Sequence, residues 1–235
     1  MDELIHGASV VCVYLVILAV IVLSIRKWTN IPDELFRKVL HFILLGAYVP
    51  FLFAFDTWWI SAGFAESLIV VIYPLLMLAG CISAFSTFVN ERKKGEFKSS
   101  MVLALGVIVL TISIGWGVLH DRYLVLASVY AWGVGDAFAA LIGKRFGKHK
   151  LKWKFVDCHK SVEGSLAMFV TSALAVFAVL QIRGGLDVTS CLVISVLTSA
   201  VATFVELCSV NGLDTVTCPA ISMMIVIVFT KVLGG

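Results

Sequence analysis

Between Gly133 and Gly164, two acidic residues flank a strongly basic stretch of the chain. Asp136 lies inside one apolar run, and Glu163 lies at the start of the next. Seven basic residues lie between the two acids: Lys144, Arg145, Lys148, Lys150, Lys152, Lys154 and Lys160. Carboxylates can hold a divalent cation, and cations beside exposed backbone amides bind phosphate oxygens. This combination indicates a site for a nucleoside triphosphate.

Small residues follow Asp136 at helical spacing. Ala139, Ala140, Gly143 and Gly147 stand at +3, +4, +7 and +11, so they share one helix face with the acid. Such a face lets a ligand approach the backbone. It equally suits close packing of a neighbouring helix, with Asp136 paired to a nearby Lys or Ser. Both interpretations are open at this point.

The segment Lys160–Gly164 has the pattern of a helix start. Ser161 is a plausible N-cap, which places Glu163 in the first helical turn. Free N–H groups at a helix start bind phosphate, and Lys160 adds a positive charge beside them. The alternative is a capped helix whose lysine reaches the lipid headgroups.

Two further segments carry polar residues in apolar surroundings. Glu206 lies near the end of one apolar run, and Asp214 precedes the next, in whose first turn we place Pro219. Earlier in the chain, Arg37 and His41 are four residues apart and share a helix face. A lone histidine at a membrane edge is more often structural than catalytic.

Composition shows which elements must position these residues. The chain has 235 residues, of which 60% are hydrophobic and 14% charged, with a formal net charge of +3. Its mean hydropathy is +1.03. A soluble domain is nearer half apolar and a quarter charged, and a bilayer span needs about 20 apolar residues. We therefore predict an all-α polytopic membrane bundle that forms one catalytic domain over residues 1–235. The expected spans are about eight: 4–25, 39–55, 60–85, 101–119, 123–142, 164–182, 189–208 and 216–233.

The basic residues predict an orientation. Fifteen of the eighteen Lys and Arg residues fall in the loops before spans two, four and six. By the positive-inside rule these loops are cytoplasmic, and both termini lie on the opposite side. Each polar segment described above then falls at the cytoplasmic face, where we expect the active site.

These motifs resemble those of the CTP-dependent polyprenol kinases, a family that includes dolichol, phytol and farnesol kinases and the yeast-type diacylglycerol kinase. The family pattern pairs D-x-x-A-x-x-x-G with K-K-T-x-E-G. The first is similar to Asp136 with Ala139 and Gly143, and the second to residues 159–164, where His159 replaces Lys and Ser161 replaces Thr.

Two more elements of this family have counterparts in the chain. Its R-K-x-x-H element resembles Arg37, Lys38 and His41. Its late E…G-x-D-N-x-T-x-P element resembles Glu206, Gly212, Asp214, Thr215, Thr217 and Pro219, with Thr215 where Asn is usual. The resemblance covers about residues 37 to 219, in order.

The resemblance implies transfer of a phosphoryl group from CTP to a lipid hydroxyl, with Mg²⁺ or another divalent ion. Asp136, Glu163 and Asp214 are then the expected metal ligands, and Glu206 or Asp214 orients the acceptor hydroxyl. The expected nucleotide-binding residues are Gly143, Lys144, Gly147, Lys148, Lys160, Ser161 and Gly164.

Two alternatives remain. Cytidylyltransferases that form a CDP-lipid from phosphatidate share several of these features but typically carry S-P-K-K-T before the Glu, where this chain has residues 157–161. A small transporter would use buried acids such as Glu66 and Asp136. Nothing suggests nucleic acid, since phosphate and anionic headgroups are nearer partners for the basic loop. The acceptor alcohol and the oligomeric state are left open.

Overall fold

The computed structural model describes residues 1–28, 31–79, 96–151, 160–209 and 214–233; the side chains of residues 33–34, 96–98 and 214 are outside that set. The helices found in these ranges are α1 (Asp2–Trp28), α2 (Asp33–Phe53), α3 (Trp58–Ala79), α4 (Glu96–Thr111, continued by a π-helical segment Ile112–Val118), α5 (Arg122–Phe146), α6 (Val162–Arg183), α7 (Val188–Cys208) and α8 (Asp214–Leu233).

Eight helices in the described ranges are long and apolar enough to cross a membrane. In hydrocarbon, an α-helix satisfies every backbone hydrogen bond within its own segment, which is why apolar runs of this length fold as helices. The prediction of an all-α polytopic protein with about eight spans is confirmed.

Short polar residues define the ends of several helices. Asp121 caps α5 by accepting from the backbone N–H groups of Tyr123 and Leu124, at 2.9 and 3.3 Å. Ser161 caps α6, as its sequence position predicted, and accepts from the Gly164 N–H at 3.2 Å. Helix α6 ends at Gly184, whose φ of +73° is a conformation that glycine adopts without strain.

The chain divides into two compact units. Unit 1 comprises Met1–Arg37 and Gly46–Val118, and unit 2 comprises Lys38–Leu45 and Leu119–Gly235. Helix α2 thus contributes its central part to unit 2 and its two ends to unit 1. The prediction of a single catalytic domain stays a prediction.

Aromatic packing and a partly exposed capping interaction stabilise unit 1. Phe55 is fully buried and lies against Gly7 of α1, while its ring centroid is 5.8 Å from that of Phe64. The Glu3 carboxylate accepts from the backbone N–H and hydroxyl of Thr57, at 2.8 and 2.7 Å. These contacts tie the start of α1 to the start of α3.

Unit 2 is a ring of four helices. Helix α5 packs along α6, α6 packs on α7, α7 packs on α8, and α8 returns to α5. The central part of α2 lies against α5, where the Leu45 side chain occupies the space above Gly133.

The close approach of α5 and α6 depends on glycine. A Cβ atom on Gly164 would lie 2.9 Å from the Ala139 carbonyl oxygen and 3.2 Å from the Gly143 Cα. Both are backbone atoms, so the helices would have to separate to admit it. The small-residue face after Asp136 is therefore used for helix packing at Ala139 and Gly143.

Two sequence expectations are wrong in detail. Glu66 is exposed on α3 and is not the buried acid that a transport path would use. Helix α8 begins at Asp214, earlier than expected, so Pro219 lies in its second turn and not its first. There the proline leaves the Thr215 carbonyl without its usual helical donor.

Gly164→Ala tests the close packing of α5 and α6. We expect the free energy of unfolding to fall by about 1–3 kcal/mol, because overpacking against backbone outweighs the gain in helix propensity. Unfolding in mixed detergent micelles measures it. Gly106→Ala is the matched control, since no atom lies within 4 Å of its added Cβ. Equal stabilities of the two variants would contradict the packing.

Candidate active site

Asp136 forms the centre of a charged cluster inside unit 2. Lys38 of α2 donates from Nζ to Asp136 Oδ2 at 2.7 Å. His41, one turn further along α2, places Nε2 3.0 Å from the Gly133 carbonyl oxygen and 3.9 Å from Asp136 Oδ2. One acid on α5 is thus faced by two basic side chains from α2.

The surroundings of this cluster are largely apolar. The side chains of Lys38 and Asp136 are 13% and 22% exposed. The His41 ring meets the edge of the Trp132 ring with centroids 5.1 Å apart. The Trp132 Nε1–H is buried and has no hydrogen-bond partner among the described residues, so it is a donor that a ligand oxygen or a water can use.

This arrangement differs from the pairing that helix spacing suggests. Spacing groups Arg37 with His41, whereas the structure brings Lys38 and His41 together on Asp136. Arg37 belongs to unit 1. Sequence reasoning identified the motif but not which of its two cations contacts the acid.

The second cluster lies where α5 ends and α6 begins, about 15 Å along α5 from Asp136 by helical rise. Leu151 N–H donates to the Lys160 carbonyl and Val162 N–H to the His149 carbonyl, each at 3.0 Å. These bonds form a short antiparallel bridge that brings together the two ends of the basic loop.

Protein atoms already fill the space next to the glycines beside this bridge. Ser161 is 3% exposed, and its Oγ lies close to the positions of Cβ atoms added to Gly143, Gly147 and Gly164. The N–H groups of Val162 and Gly164 are already bonded. The start of α6 therefore offers fewer donors to phosphate than its sequence suggests, and the nucleotide-binding role of these glycines stays a prediction.

Glu163 has a partner that the sequence analysis did not single out. His149 Nδ1 lies 2.7 Å from Glu163 Oε1, and the His149 backbone N–H donates to the same carboxylate. His149 is 79% exposed and Glu163 26%. The signal available in the sequence was only a histidine among lysines, two residues after Gly147.

The third cluster joins α6 to the end of α7. Lys160 Nζ lies 3.0 Å from Glu206 Oε1, and it also donates to the backbone carbonyls of Glu206 and Ser209. Both side chains are less than a fifth exposed. The Ser209 hydroxyl in turn lies 3.3 Å from the Thr217 hydroxyl of α8. Motif residues just before α6, in α7 and in α8 therefore meet at one end of unit 2.

The other predicted site residues lie outside the three clusters or outside the described residues. Lys144 lies in the last turn of α5 and Lys148 just after its end, and both are exposed; Thr215 lies in the first turn of α8. Gly212 and residues 152–159 lie outside the described residues, as does the Asp214 side chain.

The donor set suits a hard divalent cation, because carboxylate oxygens are the ligands that Mg²⁺ prefers. No group of three acidic, His or Cys side chains is close enough to hold an ion within the described ranges. Asp136 and Glu163 are instead paired with Lys38 and His149. The ligand set Asp136, Glu163 and Asp214 stays a prediction.

The fold and these clusters define a multi-pass membrane protein with ionic and polar residues gathered at one end of a helix ring. The model of the cytidylyltransferase family matches residues 4–209, and the chain belongs to that family.

Two curated relatives are similar over part of the chain. A phytol kinase of Synechocystis sp. is 31% identical over 173 residues, covering 67% of this chain and 63% of the kinase. An uncharacterized protein of Methanocaldococcus jannaschii is 26% identical over 155 residues, covering 61% of this chain and 71% of that protein. The resemblance to the polyprenol and phytol kinases is thereby confirmed. No solved structure matches the chain.

Replacing Lys38 alone tests whether the Lys38–Asp136 ion pair stabilises the fold. Lys38→Met leaves Asp136 as an unpaired acid in apolar surroundings, and we expect the free energy of unfolding to fall by about 1–3 kcal/mol. Adding Asp136→Asn should restore most of the loss. Unfolding in mixed micelles measures both, with the exposed Lys27→Met as control. Purely additive losses in the double variant would contradict the pairing.

Proposed function

We propose that this protein is a CTP-dependent lipid kinase, which transfers the γ-phosphate of CTP to the hydroxyl of a membrane lipid alcohol such as a polyprenol, phytol or diacylglycerol. The observation that carries the proposal is the meeting of motif residues at the start of α6 and the ends of α7 and α8. Lys160 pairs with Glu206, and Ser209 links both to Thr217. The similarity to phytol kinase supports the same chemistry.

Positioning and charge neutralisation account for most of phosphoryl-transfer catalysis. Asp136, Glu163 and Asp214 would hold a divalent cation, which when bound neutralises charge on the phosphate oxygens. Lys160, Lys144 and Lys148 supply positive charge for the remaining oxygens.

The Lys160–Glu206 pair suggests how the site responds to nucleotide. A triphosphate carries more charge than one carboxylate, so it competes with Glu206 for the Lys160 ammonium group. When the Lys160 ammonium group pairs with the triphosphate instead, the Glu206 carboxylate becomes available as a hydrogen-bond acceptor. It can then orient the acceptor hydroxyl and take its proton as the oxygen bonds to the γ-phosphorus and CDP departs.

The membrane context fits a lipid acceptor. The alcohol's chain would lie among the apolar helices while its hydroxyl is held at helix-end level, beside Lys160 and Glu206. We propose that this end faces the cytoplasm, with the N-terminus opposite, since the sequence has fifteen of its eighteen Lys and Arg residues in the loops before spans two, four and six.

A second candidate function is cytidylyl transfer to phosphatidate, which would form a CDP-lipid. The family match favours it, because the matching model is that of the cytidylyltransferase family. The kinase is preferred because the chain lacks S-P-K-K-T before Glu163.

A double-label assay separates the two functions. Purified protein in detergent receives Mg²⁺, a panel of lipid alcohols and phosphatidate, with CTP labelled on the γ- or the α-phosphate. We expect label in the lipid phase only from the γ-position. Label from the α-position with phosphatidate would instead establish the cytidylyltransferase, and no transfer from folded protein would contradict both.

Asp136→Asn should lower kcat at least about a hundredfold, because a neutral amide replaces a charged ligand in the reacting centre. Asp187→Asn is the matched control: Asp187 caps α7 at the other end of unit 2, and Asn caps equally well. Lipid phosphorylation by both variants, purified as folded protein, gives the comparison. Equal activity would remove Asp136 from the mechanism.

A further inference from the structure

Unit 2 contains a cavity of about 290 Å³ at the end away from Lys160 and Glu206. Its wall includes Asp121, which caps the start of α5, and Arg183, in the last turn of α6. The candidate active site lies where α5 ends and α6 begins. Since α5 has 25 residues, the two ends are about 37 Å apart by helical rise. We call this cavity the distal pocket.

The distal pocket has a net positive lining. Arg183 Nε donates to Asp121 Oδ2 at 2.6 Å, and Arg183 Nη1 donates to the Gly184 carbonyl at 3.1 Å. Lys231, in the last turn of α8, adds a second cation. Two cations against one carboxylate leave a formal charge of +1, which favours an anion.

A buried hydroxyl in the wall lacks a partner. Thr230 is 7% exposed, and its Oγ1 makes no hydrogen bond with any described residue. Helical threonines can bond the carbonyl four residues earlier, as Thr111 and Thr171 do here at 2.7 and 2.8 Å. Thr230 does not, and Thr198 and Thr203 of α7 also have no partner among the described residues. A buried hydroxyl without a partner is costly, so a ligand oxygen would satisfy it.

The remaining wall is apolar. Leu124 and Ile227 line the same cavity. The pocket therefore combines cations, a hydroxyl donor and an apolar surface at the end of a helix ring. That combination matches the headgroup and first chain carbons of an anionic lipid.

We propose that the distal pocket binds a phosphate ester anion, with the phosphate between Arg183 and Lys231 and the Thr230 hydroxyl donating to it. The apolar wall favours a phospholipid as the source, with its chain against Leu124 and Ile227. This site is separate from the proposed reaction centre and does not depend on the proposed function.

The test measures thermal unfolding of the full chain in neutral detergent with three added probes: dioleoylphosphatidylglycerol, dioleoylphosphatidylcholine or sodium phosphate. A ligand that binds the folded state raises the melting temperature with concentration. We expect phosphatidylglycerol to raise it and phosphatidylcholine to have little effect. A rise with sodium phosphate equal to that with phosphatidylglycerol would support the phosphate site and assign a water-soluble source.

Variants test whether the rise in melting temperature comes from binding in the distal pocket. Lys231→Gln and Thr230→Val should each weaken the apparent affinity for phosphatidylglycerol about tenfold, the value of one charge-assisted hydrogen bond. Thr230→Val should leave the lipid-free protein as stable or more stable, because it removes an unsatisfied hydroxyl. Arg122→Gln is the matched control, a cation at the same end of α5 that is not part of the pocket wall.

Three results would overturn the proposal. The first is an equal response of wild type to phosphatidylglycerol and phosphatidylcholine with none to phosphate. The second is an equal loss of affinity in Arg122→Gln and Lys231→Gln, which would indicate a general effect of surface charge. The third is lower stability of Lys231→Gln with its lipid affinity unchanged, which would restrict Lys231 to a role at the end of α8 and remove it from the site.

Discussion

The arrangement of unit 2 depends on pairing each ionised side chain that lies among its apolar helices with an opposite charge. An ionised side chain among membrane helices is stable only beside an opposite charge, water or a bound ion. Asp136 meets this need with Lys38 at 2.7 Å, and Glu206 meets it with Lys160 at 3.0 Å. The first pair joins α2 to α5, and the second joins the residue segment before α6 to the end of α7, so the pairs position the motifs as well as neutralise them.

The same ion pairs also prepare the site to bind ligands. A carboxylate already opposite an ammonium group lies where cations and phosphate oxygens can replace the internal partner. The short glycine contacts between α5 and α6 pack closely the two helices that carry Asp136 and Glu163. Closely packed helices with exchangeable ionic partners are a suitable arrangement for binding a nucleotide.

Much of the fold could be predicted from the sequence. Span-length apolar runs and an N-cap serine preceding Glu163 gave the helices and the start of α6, because these signals are local. Partner choice could not be predicted in this way. That Lys38 and not Arg37 reaches Asp136, or that His149 bonds Glu163, depends on how helices pack across many residues.

The glycines illustrate the same limit. A row of small residues after Asp136 fits both ligand approach and helix packing, and only the position of Gly164 shows that α6 fills part of that face. The unpartnered Thr230 hydroxyl had no sequence signal, because its usual partner is a backbone carbonyl of its own helix.

A structure of the protein with bound CTP and Mg²⁺ tests the location of the site most directly. We predict a triphosphate at the end of unit 2 where Lys160 lies, with the Lys160–Glu206 pair opened and Asp136 close to the bound ion. A nucleotide bound elsewhere, with both ion pairs intact, would contradict it.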